Sequence, residues 1–251
     1  MFADVTSANI VGYTTKDAPQ NSFVILGAQF ESIPGGADAN DLVKGVPGVN
    51  YDDDGVFKLT APQIQIPSGI GYKVRYFLND GWYDNGTPDG DYKAGWCNGD
   101  GEIAECELTP GIAIWIKSVQ ADAVANVSGA VPDDDNVSVE CPEVFALRSN
   151  AFPIGWDINS EHVAFVGIAG VNYDDDGNFK QTAPQVQIPS GIGYKIRYYL
   201  NDGWYDNGTP DGDYKAGWCN ADGEIVEEPL PVGGGFWTKG SGSSFTMTFV
   251  K

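Results

Sequence analysis

The chain has 251 residues, of which 42% are hydrophobic and 12% aromatic, and this composition predicts a folded globular protein and excludes disorder throughout. The 35 Asp+Glu outnumber the 14 Lys+Arg, and the formal net charge of -21 argues against nucleic acid and anionic membrane surfaces as partners, because both require a basic surface. No run approaches 18 apolar residues and no signal peptide is visible, so we expect a soluble chain without membrane insertion.

The chain contains an internal repeat, and its N-terminal segment aligns with the end of the repeated module. Residues 48–107 match residues 170–229 at 51 of 60 positions, an offset of 122 that identifies two copies of one module. At the same offset, the segment of residues 3–7 lies opposite residues 125–129, with two identities in five. We predict that this segment adds a strand to a neighbouring chain and joins subunits head to tail. The predicted assembly residues are Ala3, Asp4, Val5, Thr6 and Ser7. The alternative is a frayed or self-paired terminus.

Alternation of apolar and polar residues predicts short strands separated by turns rich in Gly, Pro, Asn and Asp. The predicted strands include residues 23–26, 63–66, 71–77, 112–116 and 245–249. Helical spacing of apolar residues is not sustained anywhere, and the one candidate helix is a short one from Asp38 to Lys44, where Asp or Asn can cap a turn. We therefore predict an all-β fold, with two homologous antiparallel β-sandwich domains in tandem. The predicted domain bounds are residues 1–129 and 130–251.

Acidic loops in each module predict a calcium site. Asn50, Asp52 and Asp54 place oxygen atoms at alternate positions before Gly55, as in the first half of an EF-hand loop, but the twelfth position is Ala61 instead of Glu. Carboxylates of the long loop at residues 79–91 would have to complete the site. The predicted Ca²⁺ ligands of the two copies are Asn50, Asp52, Asp54, Asp80, Asp84, Asp89 and Asp91, and Asn172, Asp174, Asp176, Asp202, Asp206, Asp211 and Asp213. Ordinary acidic turns without an ion are the alternative.

The four cysteines predict one disulfide in each domain. Cys97 and Cys219 are equivalent, and the most economical scheme pairs Cys97 with Cys106 and Cys141 with Cys219. Such bridges would indicate an oxidising, extracellular setting. Free buried cysteines and bridges between chains are the alternatives.

Aromatic residues beside the acidic loops suggest a ligand site. An indole face stacks on a sugar ring while carboxylates accept its hydroxyl groups, so we expect these side chains to bind a glycan or to form a small core beneath the loop. The candidate ligand-binding residues are Trp82, Tyr83 and Trp96 and their copies Trp204, Tyr205 and Trp218.

Catalytic residues are not evident in this sequence. His162 is the sole histidine and lies in a divergent flank, and none of the many carboxylates has an apolar setting that would mark it as a general acid. We predict that the protein is not an enzyme.

The chain resembles secreted bacterial β-rich repeat proteins of cell surfaces and extracellular fibres in its tandem modules, its Asp/Asn/Gly loops such as residues 50–55, its scarce cysteine and endings such as residues 235–239. This resemblance implies a structural or adhesive role outside the cell. We expect an extracellular or cell-surface assembly subunit that associates into a homopolymer. The alternative function is a secreted carbohydrate-binding module or adhesin.

Overall fold

The computed structural model describes residues 11–32, 37–68 and 71–251. In the first repeat the strands are β1 (Val11–Ala18), β2 (Phe23–Gly27), β3 (Val43–Lys44), β4 (Gln63–Ser68), β5 (Gly71–Tyr83), β6 (Asp91–Cys97), β7 (Ala113–Lys117) and β8 (Ala123–Ala130). In the second they are β9 (Asn136–Cys141), β10 (Ala146–Ser149), β11 (Val163–Val166), β12 (Gln185–Ser190), β13 (Gly193–Tyr205), β14 (Asp213–Cys219), β15 (Gly235–Lys239) and β16 (Phe245–Val250). The short helices are α1 (Ala39–Leu42), α2 (Phe57–Thr60) and α3 (Phe179–Thr182).

The strands form four antiparallel sheets, two in each repeat. The first repeat has a three-stranded sheet in the order β1-β8-β3 and a five-stranded sheet in the order β2-β7-β4-β5-β6. The second repeat repeats this arrangement as β9-β16-β11 and β10-β15-β12-β13-β14. The prediction of an all-β fold with two β-sandwich-like domains is confirmed. The last strand of the first repeat ends at Ala130, and the first strand of the second begins at Asn136.

A main hydrophobic core lies between the two sheets of each domain. Alternate side chains of every strand point inward, so both sheets contribute to the same apolar layer. The largest fully buried side chains include Trp96 in the first domain and Trp218 in the second. A smaller core lies on the other face of each five-stranded sheet, where Phe57 or Phe179 packs beneath the segment that carries the short helix.

Helix α1 confirms the single helix predicted from the sequence, with Asp38 Oδ1 accepting the Asn40 N–H at 2.7 Å. Helices α2 and α3 were not predicted. In α2 the Asp52 carboxylate accepts the N–H groups of Val56 and Phe57 at 2.6 and 2.7 Å, which satisfies donors that the first turn leaves free. The acidic loop at residues 50–55 therefore also forms the N-terminal end of helix α2.

The two domains meet through equivalent surfaces. The Gly27 N–H donates to the Gly233 carbonyl at 3.1 Å, and the Ser149 N–H donates to the Gly111 carbonyl at 2.8 Å. Because these two hydrogen bonds are related by the 122-residue offset, each domain uses the same patch toward the other, as in a two-fold symmetric dimer. Trp115 and its copy Trp237 lie at this seam with their ring centroids 6.2 Å apart.

The predicted disulfides are wrong, because all four cysteines are free and buried. Cys97 follows Trp96 on β6, so its side chain points to the small core while Cys106 lies in the main core. Cys141 and Cys219 are separated in the same way in the second domain. Burial raises the pKa of Cys97 to about 12 and that of Cys106 to about 11, so both thiols stay protonated at neutral pH.

Because the four thiols are free, we predict that the stability of the protein does not depend on a reductant. We expect the melting temperature to be the same with and without dithiothreitol, because no covalent bridge constrains the unfolded chain. Protein denatured without a reductant should release four titratable thiols, one for each cysteine. A count of two, or a melting temperature lowered by the reductant, would contradict the structure.

Candidate functional site

The two domains carry equivalent clefts on their surfaces. The cleft of the first domain has a volume of about 320 Å³, and that of the second about 370 Å³. All seven residues of the first cleft have identical counterparts at an offset of 122. The lining residues are Tyr51, Asp80, Trp82, Tyr92, Asp100, Gly101 and Glu102 in one cleft, and Tyr173, Asp202, Trp204, Tyr214, Asp222, Gly223 and Glu224 in the other.

Trp82 occupies the centre of the first cleft because β5 has a neighbour on each side. On one side it pairs with Tyr92 of β6, and on the other it forms a parallel bridge with Glu102. The Trp82 N–H donates to the Gly101 carbonyl at 2.9 Å, and the Ile103 N–H donates to the Trp82 carbonyl at 2.7 Å. Paired residues of neighbouring strands point to the same side, so the indole, the phenol and the carboxylate form a row.

A β-bulge brings the first acidic loop to this row. The register of β5 against β6 shifts between Leu78 and Gly81, and Asp80 lies within that shift. The Asp80 Oδ1 accepts the backbone N–H of Tyr51 at 2.7 Å, which fixes Tyr51 beside the cleft. Gly101, with φ of +80°, has no Cβ that would collide with the Tyr51 ring. Burial, followed by the charges of Asp53 and Asp100, raises the pKa of the Tyr51 hydroxyl, so the phenol remains neutral.

The loop that joins β5 to β6 packs on the edge of the central indole. Gly90 has φ of +59°, and a Cβ added there would collide with the Trp82 ring at Nε1. The same contact is made by Gly212 and Trp204. One edge of each indole is thus covered by glycine, and the half-buried side chain lines the cleft with its remaining surface.

Each cleft is acidic and has no basic lining residue. In the first cleft Asp80, Asp100 and Glu102 contribute carboxylates, and Glu102 Oε2 accepts the Asn98 Nδ2–H at 2.9 Å. Asn220 makes the equivalent bond to Glu224 at 2.8 Å. The clefts therefore combine aromatic rings with hydrogen-bond acceptors in a negative field.

The predicted ligand-binding residues divide into three groups. Trp82 and Trp204 line the clefts. Tyr83 and Tyr205 lie on the opposite side of the hairpin, where Lys93 and Lys215 sit 4.2 and 4.4 Å from their ring centroids. For Trp96 and Trp218 the prediction is wrong, because both side chains are fully buried in the main cores.

The candidate list from the sequence left out several lining residues, including Tyr92, although Tyr92 lies beside the same acidic loop. Tyr92 is 66% exposed and pairs with Trp82, and Tyr51 closes the other wall. The turn at residues 98–102 repeats as an acidic turn in both copies, which was the signal available for Asp100 and Glu102.

The carboxylates predicted to bind Ca²⁺ make hydrogen bonds within the chain. Asp52 caps α2, Asp80 accepts the Tyr51 N–H, and Asp84 Oδ1 accepts the Gly86 N–H at 2.8 Å. Their copies make equivalent bonds. Among residues 11–32, 37–68 and 71–251 no group of three or more His, Cys, Asp or Glu side chains is placed to hold a metal ion. Calcium binding by Asn50, Asp54 and the other predicted ligands stays a prediction.

The sole histidine lies away from both clefts. The His162 ring stacks on Trp156 with centroids 5.2 Å apart, and its Nδ1 lies 3.1 Å from the Val250 carbonyl oxygen. The 122-residue offset aligns His162 with Asn40. In the structure, however, Asn159 is the residue equivalent to Asn40. Asn40 and Asn159 each accept the backbone N–H of a buried tryptophan, and each donates to a backbone carbonyl of the loop that follows the acidic turn, at Ala104 and Val226.

Another cavity, of about 380 Å³, lies at the seam between the domains and is lined mainly by apolar side chains such as Phe23, Trp115 and Ile192. Its counterpart would include residues 69 and 70, which are outside the described part of the chain. The predicted assembly residues Ala3 to Ser7 also lie outside the described residues, so head-to-tail association stays a prediction.

No helix in the described ranges is both long and apolar enough to cross a lipid bilayer. Comparisons with protein-family models, with curated proteins and with solved structures found no match to this chain.

Proposed function

We propose that the protein is a carbohydrate-binding module with two equivalent sites, one in each domain. The observation that carries this proposal is the pair of clefts in which the same seven residues recur around a central tryptophan. An aromatic ring offers an apolar surface to the C–H face of a sugar, and carboxylates accept hydrogen bonds from its hydroxyl groups. Both kinds of group meet in each cleft.

The exposure of the aromatic rings supports ligand contact. Tyr92 and Tyr214 are each 66% exposed, and Tyr51 and Tyr173 are 39% and 38% exposed. A purely structural cluster would bury these rings, as the main core buries Trp96. Exposed aromatic rings beside a cleft are typical of binding surfaces.

The unequal divergence of the repeats also supports a retained site. Residues 48–107 and 170–229 are identical at 51 of 60 positions. The preceding segments, 11–47 and 133–169, have diverged in both sequence and length, so that Asn40 is equivalent to Asn159 and not to the residue 122 positions later. Both segments have had equal time to diverge, and the retained one includes the exposed residues 84–89, where packing imposes few constraints.

Calorimetric titration with a panel of oligosaccharides tests this proposal. We expect two equivalent sites per chain with dissociation constants from micromolar to millimolar, about -4 to -8 kcal/mol. Trp82→Ala and Trp204→Ala should each remove one site and leave the other unchanged, because the clefts are separate. The double variant should not bind.

Trp156→Phe is the matched control, because it alters a tryptophan outside both clefts. A ligand that binds the double variant as tightly as the wild type would contradict the proposal, as would a panel in which no oligosaccharide binds.

A further inference from the structure

We infer that the sugar bound in these clefts carries a free amino group, so that the ligand class is an amino sugar in its ammonium form. This inference rests on the proposed function and specifies the chemistry of the same site. Its basis is the combination of exposed aromatic rings with carboxylates that form no ion pair, around each central indole.

The charge in the first cleft is not compensated by the protein. Three of the seven lining residues are acidic and none is basic, and the same holds for the second cleft. In the described ranges the ion pairs within 4.0 Å all involve Glu228, which lines neither cleft. A cleft lined by three carboxylates and no basic side chain has a negative potential that attracts a cationic group.

Nearby lysines are engaged elsewhere. Lys93 Nζ lies 4.2 Å from the centroid of Tyr83, on the other side of the hairpin from Trp82. Lys58 Nζ lies 5.6 Å from the centroid of Phe57 and also near Gly99, on the turn that carries Asp100, but it makes no ion pair within 4.0 Å. Neither lysine lines the cleft, so an ammonium group of the ligand would be the one cation in direct contact with its carboxylates.

The aromatic rings favour the same kind of ligand. The face of an indole or phenol attracts an ammonium group through the ring quadrupole, most strongly for tryptophan. Carboxylates add charge-assisted hydrogen bonds to the same group. A neutral sugar would contact the aromatic rings but would form no charge-assisted hydrogen bond with the carboxylates. An acidic sugar would be repelled by the carboxylates. A glucosamine unit can place its apolar face on Trp82 or Tyr92 and its ammonium group near Asp80, Asp100 and Glu102.

Three oligosaccharides that differ only at C2 test this inference: oligomers of glucosamine, N-acetylglucosamine and glucose of equal length. We expect the glucosamine oligomer to bind at least about tenfold more tightly than the other two, because it alone forms charge-assisted contacts. The preference should shrink as salt is raised or as the pH rises and the ammonium group loses its proton.

The variants separate cleft binding from general attraction to a chain of net charge -21. Asp100→Asn combined with Asp222→Asn should reduce the preference for glucosamine, whereas the charge-matched control Asp89→Asn with Asp211→Asn, in an exposed loop outside the clefts, should not. Trp82→Ala with Trp204→Ala keeps the net charge and should abolish binding.

The outcomes distinguish the inference from the function on which it rests. If the three oligomers bind equally well at two sites that need the tryptophans, the carbohydrate site stands and the inference is overturned. If glucosamine binding survives in the double tryptophan variant, or falls equally in the Asp89/Asp211 control, it is surface attraction and the inference is overturned. If none of the three oligomers binds, the inference is overturned, and the carbohydrate site also fails if no other oligosaccharide of the panel binds.

Discussion

Trp218→Ala is expected to lower the free energy of unfolding by about 3–5 kcal/mol, the usual cost of removing a buried aromatic side chain. Trp218 is fully buried, and its ring centroid lies 5.3 Å from that of Phe165 and 5.4 Å from that of Tyr199. Trp204→Ala, fourteen positions earlier, should cost less, about 1–2 kcal/mol, because its half-buried indole borders an open cleft. Urea unfolding followed by circular dichroism measures both values.

Trp218→Phe provides a finer control. The Nε1–H of Trp218 has no hydrogen-bond partner, so phenylalanine loses ring volume but no polar contact and should restore most of the stability lost in the alanine variant. Equal destabilisation by Trp204→Ala and Trp218→Ala would show that both indoles are core residues, and the binding cleft would lose its central ring.

Glu228→Gln is expected to destabilise the protein by about 3 kcal/mol, because it leaves a buried guanidinium without its counter-charge. Glu228 Oε1 lies 3.0 Å from Lys195 Nζ, and Oε2 is paired with Arg197. The side chains of Glu228 and Arg197 are 7% and 15% exposed, while that of Lys195 is 50% exposed, so Arg197 carries most of the effect.

This ion pair also predicts a pH dependence. Burial opposes ionisation of Glu228, but hydrogen bonds and charge from Arg197 and Lys195 outweigh it and lower the pKa below its ordinary value of 4.5. A group with a lowered folded pKa contributes its full stability above the ordinary value and loses it as the pH falls through the folded pKa. The stability difference between wild type and Glu228→Gln should therefore be constant near neutral pH and vanish in acid.

The first repeat offers a matched comparison, because Cys106 occupies the position equivalent to Glu228. Cys106→Ala removes a small buried side chain that makes no ion pair and should cost about 1 kcal/mol. If Glu228→Gln and Cys106→Ala have equal effects at neutral pH, the ion pair does not stabilise the second domain.

The strands were predictable because their apolar alternation is local. Residues 63–66 and 71–77 show the pattern directly, and the structure places them in β4 and β5. Helix α2 was not predictable from periodicity, since four residues span little more than one turn and its start depends on the Asp52 side chain. The disulfide prediction failed because sequence spacing does not reveal that Cys97 and Cys106 point into different cores.

The candidate site was only partly predictable, because strand pairing and not local sequence decides which side chains are buried. Trp82 and Trp96 lie in similar aromatic and acidic surroundings in the sequence, and hairpin pairing decides which of them is buried. The bulge at Asp80 changes the strand register between them, and no local pattern marks it. Likewise, the equivalence of Asn40 and Asn159 depends on a length difference between divergent flanks, which a gapless alignment hides.

The most direct test of the carbohydrate sites is an NMR titration that follows the indole ¹⁵N–¹H signals of the seven tryptophans as the glucosamine oligomer is added. We predict that the signals of Trp82 and Trp204 shift together and saturate at the same ligand concentration, while those of the buried Trp96 and Trp218 stay in place. Shifts confined to Trp115 and Trp237 at the domain seam, or no indole shift with any oligosaccharide that binds, would contradict the two-cleft account.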